Sequence, residues 1–80
     1  MRTIVVYSKP DCHLCSDAMA VLRRLKGEFG LELSERDITA DDALQRAYFE
    51  RIPVVLLDGA ELFEFFVDEA LLRERLESRR

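Results

Sequence analysis

Between Thr3 and Leu25 the chain changes its hydrophobic period once. An apolar run, Ile4-Val5-Val6-Tyr7, gives way to a stripe at Cys15, Ala18, Met19, Leu22 and Leu25, spaced by three and four residues. Residues 2–7 are β-branched and aromatic and suit a buried strand. The stripe is one face of a helix. Ser8-Lys9-Pro10-Asp11 is a turn between them, so the helix starts near Cys12. A strand that runs directly into an amphipathic helix makes this an α/β chain.

The rest of the chain continues the alternation. Asp17 lies early in the first helix and Arg23, Arg24 and Lys26 late, as the helix dipole favours, and Gly27 and Gly30 are expected to stop it. Leu31 and Leu33 alternate with Glu32 and Ser34 toward Ile38, which reads as a half-buried strand. Thr39-Ala40-Asp41-Asp42 resembles a capping box opening a second helix with Leu44, Ala47 and Tyr48 inward. Pro53 begins a third strand, Val54–Leu57, and Asp58-Gly59 is a hairpin signal that turns it back into an antiparallel fourth strand, Ala60–Phe66. Asp68 is placed to cap a last helix through Leu71, Leu72 and Leu76, in which Glu69 and Arg73 form an i,i+4 pair on a solvated face. The order is β-α-β-α-β-β-α, in one domain spanning 1–80.

Eighty residues leave no room for a second catalytic domain, and a domain this small buries only about 60% of its unfolded surface. A net charge of −4 argues against a nucleic-acid footprint, and Arg79-Arg80 reads as a solvated tail. The apolar runs are too short to span a membrane, and the N-terminus lacks the pattern of a secretory signal. Small secreted domains carry several structural disulfides. A single close pair instead suits a reducing cytoplasm, where disulfides are transient and catalytic.

That pair is Cys12-His13-Leu14-Cys15. At the first turn of a helix, Cys12 meets unsatisfied N–H groups and the positive end of the dipole, both of which favour thiolate over thiol. Cys15, one turn inward on the same face, is within reach to resolve a mixed disulfide. Lys9, and His13 when protonated, add positive potential. Asp11 opposes ionisation unless its carboxylate is engaged in capping the helix.

Val6-Tyr7-Ser8-Lys9-Pro10-Asp11-Cys12-His13-Leu14-Cys15 resembles the active-site segment of glutaredoxins, with His-Leu in place of Pro-Tyr, in the form of small bacterial Cys-His-Leu-Cys proteins. Arg51-Ile52-Pro53-Val54-Val55 is similar to the family's cis-proline segment. The resemblance implies a thioredoxin-like fold with a four-stranded mixed sheet in order 2-1-3-4 and helices on both faces. It also implies a thiol–disulfide oxidoreductase, with Cys12 and Cys15 catalytic and Lys9, Ile52, Pro53 and Asp68 contacting substrate. The substrate would be a protein or glutathione-mixed disulfide, with a thiol reductant or reductase resetting the pair. A monomer with no resident cofactor is expected, glutathione entering only as co-substrate. One departure stands out. The family's Gly-Gly pair, which lets glutathione approach the backbone, is Phe65-Phe66 here, so that approach is crowded while Asp68 is retained.

Other uses of the same residues remain open. A lone Cys-x-x-Cys supplies half the ligands of a structural zinc site, which makes a closed monomeric site improbable, but two protomers would pool four thiolates for zinc or an iron–sulfur cluster. His13 is read as a surface residue, and Tyr7 and Tyr48 as packing residues. Adjacent Phe65 and Phe66 on a regular strand point to opposite faces, which would expose one of them near the site.

Overall fold

The computed structural model describes residues 2–77, so Arg79-Arg80 lies outside the described residues. The elements are β1 (Thr3–Ser8), α1 (His13–Phe29), β2 (Glu32–Asp37), a 3-10 turn (Ile38–Ala40), α2 (Asp42–Tyr48), β3 (Val54–Leu57), β4 (Ala60–Glu64) and α3 (Glu69–Glu77). The sheet order is β2-β1-β3-β4. β1 pairs in parallel with β2 and antiparallel with β3, and β3 pairs antiparallel with β4. This is the mixed sheet that the resemblance implies.

Alternation along β1 distributes the helices. Ile4 and Val6, with Val55 and Leu57 of β3, pack against Met19, Leu22 and Leu25 of α1 and Leu72 and Leu76 of α3. Tyr7 points the other way, into a smaller cluster with Cys15, Ile38, Ile52, Leu44 and Tyr48, where α2 covers the sheet. α1 and α3 therefore lie on one face and α2 on the other.

Several local expectations are corrected. Gly27 does not stop α1, which runs on to Phe29; Gly30 ends it alone, at φ 71°, donating its N–H to the Lys26 carbonyl at 2.9 Å. Thr39 does not cap α2. Asp41 does, its Oδ1 accepting the Ala43 and Leu44 N–H groups at 2.8 and 3.2 Å, while Asp37 accepts the Thr39 N–H and hydroxyl. At a positively polarised helix start a carboxylate is a stronger acceptor than a hydroxyl. Ala47 is exposed, because the seven-residue α2 offers the sheet only the Leu44–Tyr48 flank.

The hairpin turn forms at Asp58 (φ 51°) and Gly59 (φ 89°), both left-handed as the tightest hairpins require. The Asp58 carboxylate accepts the Thr3 N–H at 2.9 Å and pairs with Arg2, and these bonds, the Thr3 one foremost, hold its pKa below the usual value. β4 stops at Glu64, short of the expected Phe66, because Phe65 turns to φ 73°. Asp68 caps α3 as expected, accepting the Leu71 N–H at 3.1 Å. The polar side of α3 is less solvated than expected. Glu69 pairs with Arg73 at 3.2 Å, but it also reaches Arg24, and Arg73 reaches Glu28, so the charges tie α3 to α1.

Candidate active site

The site is built where β1 runs out. Ser8, buried at the strand end, donates its hydroxyl to Glu35 Oε2 on β2 at 2.9 Å. Lys9 and Pro10 then cross the surface, and Asp11 adopts φ 61°, a left-handed conformation that aspartate tolerates better than most residues. The chain re-enters as a helix with Cys12 as N-cap, at φ −102° and ψ 111°.

At that position the sulfur does what a capping oxygen does elsewhere. Cys12 Sγ accepts the Cys15 N–H at 3.2 Å. Cys12 is half-buried, whereas Cys15 is 2% exposed and packs with Ile38 and Ile52. The two are disulfide-bonded in the structure, with Cα atoms 5.2 Å apart. One sulfur is thus reachable and polarised, and the other stands directly behind it.

The neighbouring side chains divide. Lys9 lies with Cys12 on the wall of an open groove of about 550 Å³ that also includes Cys15, Met19, Arg23 and Glu35. Arg23 and Glu35 were not among the expected site residues. Arg23 reaches the groove because it follows Cys12, Ser16 and Met19 along one flank of α1, and Glu35 because parallel pairing sets it beside Val6. Asp11 does not cap the helix, since the Cys12 sulfur fills that place, and its carboxylate makes no side-chain hydrogen bond among the described residues. His13 is 89% exposed, 3.5 Å from Asp17, and stays a surface residue.

Ile52 and Pro53 are buried, and the bond between them is cis. The regular pairing of β3 starts at Val54, leaving Ile52 outside the ladder but packed in the cluster that holds Cys12 and Cys15. The Asp68 carboxylate serves the start of α3, accepting the Leu71 N–H.

Phe65 and Phe66 do not take opposite sides of a strand. Phe66 donates its N–H to the Glu64 carbonyl at 2.8 Å, closing a three-residue turn around Phe65, and the two rings are 43% and 68% exposed. The Phe65 N–H bonds the Pro53 carbonyl at 2.8 Å, which fixes this turn against the Ile52-Pro53 segment. The other side of that segment is held by Arg51. Its guanidinium pairs with Glu64 and Glu61 of β4, which hold its pKa above the ordinary value, and lies 5.2 Å over the Tyr48 ring. Tyr48 in turn stacks on Tyr7 at 4.5 Å.

Among the described residues no group of three His, Cys, Asp or Glu side chains is arranged to hold a metal ion, and no helix is long and apolar enough to cross a membrane.

Comparison with known proteins agrees with this geometry. Residues 3–77 match the family model of the Glutaredoxin-like domain (DUF836). The uncharacterized protein Rv0508 of Mycobacterium tuberculosis is 31% identical over 75 residues, covering 88% of this chain and 77% of its own. The solution structure of protein Ne2328 from Nitrosomonas europaea superposes with a TM-score of 0.81 at 33% identity, over 95% of this chain and 92% of that one. The X-ray structure of protein XcR50 from X. campestris gives 0.76 at 31%, over 96% and 99%. A thioredoxin from Halobacterium salinarum, at 23% identity and a TM-score of 0.69 over 95% of this chain and 72% of its own, shares the fold. A cysteine pair bonded at the tip of the first helix of such a fold supports a redox-type function in general terms. The chain belongs to the glutaredoxin-like (DUF836) family of the thioredoxin fold.

Proposed function

We propose that the protein is a cytoplasmic thiol–disulfide oxidoreductase in which Cys12 is the nucleophile and Cys15 the resolving thiol. The observation that carries this reading is the Cys12 sulfur accepting the Cys15 N–H, with Cys15 buried behind it. A hydrogen bond to an ionised acceptor is roughly twice as strong as one between neutral groups, so the arrangement favours the thiolate of a reduced Cys12.

In the forward direction the Cys12 thiolate attacks one sulfur of a substrate disulfide. A Cys12–substrate bond forms, the substrate S–S bond breaks, and the first substrate thiolate leaves. Cys15 gives its proton to solvent and attacks Cys12, closing the intramolecular disulfide and releasing the second substrate thiolate. The substrate has gained two electrons and the cysteine pair has lost them. An external thiol reductant or reductase returns the pair to the dithiol.

Lys9 adds positive potential at the groove, Ile52 offers backbone groups outside the sheet ladder to an extended substrate, and Pro53 shapes the wall beside it. The exposed Phe65 and Phe66 rings, with Leu14 between the cysteines, favour a disulfide carried on a polypeptide over a glutathione mixed disulfide, because they crowd backbone approach while offering apolar contact. Asp68 remains a candidate for the far end of a glutathione moiety. A Cys15→Ser variant tests the reading. It should arrest the reaction at the mixed disulfide on Cys12, and mass spectrometry of the trapped adduct identifies the substrate class. An adduct-free variant under oxidising challenge would refute the mechanism, and recovery of glutathione alone would refute the preference for polypeptide.

A further inference from the structure

Arg51 stands immediately before Ile52 and makes more contacts than its place on an irregular connection requires. Its backbone N–H donates to the Tyr48 carbonyl at 2.8 Å, at the end of α2. Its guanidinium Nε bonds Glu64 Oε2, and its Nη2 bonds Glu61 Oε1, on the neighbouring β4 strand. The same group covers the face of Tyr48, whose ring stacks on Tyr7 of β1 with planes 14° apart. One planar fork therefore joins three elements, α2, β4 and through the ring stack β1, beside Ile52, which the β3 ladder does not pair, while Pro53 is held from the other side by the Phe65 N–H.

The geometry points to Arg51 as a positioning residue that fixes the Ile52 backbone for pairing with an extended polypeptide substrate. This rests on the oxidoreductase reading above and deepens it. The guanidinium is suited to the task because its donors are rigid and coplanar, so two carboxylates and an aromatic face locate it together; a lysine supplies a point charge without that shape. Among the described residues the hydrogen bonds, ion pairs and ring contact of Arg51 go to Tyr48, Glu61 and Glu64, and none goes to either sulfur. Its effect belongs to substrate docking and not to the reactivity of Cys12.

Two probes separate these roles. One is the disulfide-linked dimer of an eight-residue cysteine peptide, which has a backbone to pair with Ile52. The other is 2-hydroxyethyl disulfide, which has none. Both are reduced by the dithiol protein with dithiothreitol as terminal reductant. Arg51→Met is expected to raise KM for the peptide about tenfold, equivalent to ~1.4 kcal/mol of docking free energy. Its kcat for the peptide, its turnover of 2-hydroxyethyl disulfide and the rate at which iodoacetamide alkylates reduced Cys12 should each stay within about twofold. Arg51→Lys, which keeps the charge and loses the fork, should also raise the peptide KM. The double variant Glu61→Gln/Glu64→Gln, on the exposed side of β4, should reproduce the effect with Arg51 in place, and it carries the test if Arg51→Met does not fold. An unchanged peptide KM in a folded variant, or a parallel loss with both disulfides, would overturn the assignment. A wild-type protein that reduces neither probe would instead refute the oxidoreductase reading.

Discussion

Replacing Phe65 tests the turn that closes the rim of the site. With φ at 73° and the Phe66 N–H bonded back to Glu64, Phe65 occupies backbone space that costs an L-residue roughly 1–2 kcal/mol relative to glycine. At an ordinary position alanine is better than glycine by about 0.5–1 kcal/mol, because glycine loses more backbone entropy on folding. The first effect exceeds the second here, so Phe65→Gly should be more stable than Phe65→Ala by up to about 1 kcal/mol, reversing the normal order. The ring is 43% exposed, so a little over half of the roughly 1.5–3 kcal/mol of a buried phenylalanine is lost in either variant. Phe65→Ala should therefore cost about 1–1.5 kcal/mol against wild type and Phe65→Gly about half that or less. Urea unfolding at neutral pH reads the difference directly: with a slope of about 1 kcal/mol/M, the glycine midpoint should lie about 0.5–1 M above the alanine one. Equal midpoints, or an alanine variant more stable than the glycine one, would show that the backbone at this position is not held left-handed.

Three further outcomes follow from the fold and the site. Leu22, fully buried between α1 and the sheet, should lose about 2–5 kcal/mol on truncation to alanine, measured by the same unfolding curves. Asp11→Asn, which keeps a residue that tolerates left-handed backbone, removes an uncapped negative charge next to Cys12. In a Cys15→Ser background it should raise the thiolate-to-thiol ratio about two- to threefold at low salt and less at high salt, as read from thiolate absorbance against pH. The Asp58 pKa is lower folded than unfolded, so its contribution to stability is present above the unfolded value near 3.8 and is lost as pH falls through the lower folded value. Asp58→Asn should therefore destabilise the protein at pH 7 and flatten the loss of stability below about pH 4 in acid-unfolding measurements.

How much of this was readable without coordinates depended on how local the deciding interaction is. The change of period between Val6 and Cys15 placed β1, α1 and the cysteine pair, because a strand and a helix write their buried faces at different spacings. Asp58-Gly59 placed the hairpin, and Asp68 the cap of α3, each through its own backbone chemistry. Thr39 misled because a capping-box pattern does not say which of several neighbouring acceptors wins, and Asp37 and Asp41 both did. The turn at Phe65 was hidden because phenylalanine has every preference for continuing a strand, and nothing in its own chemistry announces the left-handed φ and the Phe66 N–H bonded back to Glu64 that end it. Arg23 could have been found, since it follows Cys12, Ser16 and Met19 at helical spacing, but Glu35 and the charges joining α1 to α3 were out of reach: strand register and helix packing bring them together, and neither is written in a window of sequence.

The outer border of β2 is studded with ionic groups. Glu32, Glu35, Arg36 and Asp37 are all exposed, so an incoming strand aligned along it would have to strip water from them. At the opposite border, the slip in pairing between Val55 and Leu56 spoils the straight template that a stranger would need. Self-association by edge-to-edge stacking is thereby discouraged at both flanks of the sheet. On the proposed reading, an extended substrate would find its unpaired main chain at Ile52, beside the sulfurs, and at neither border.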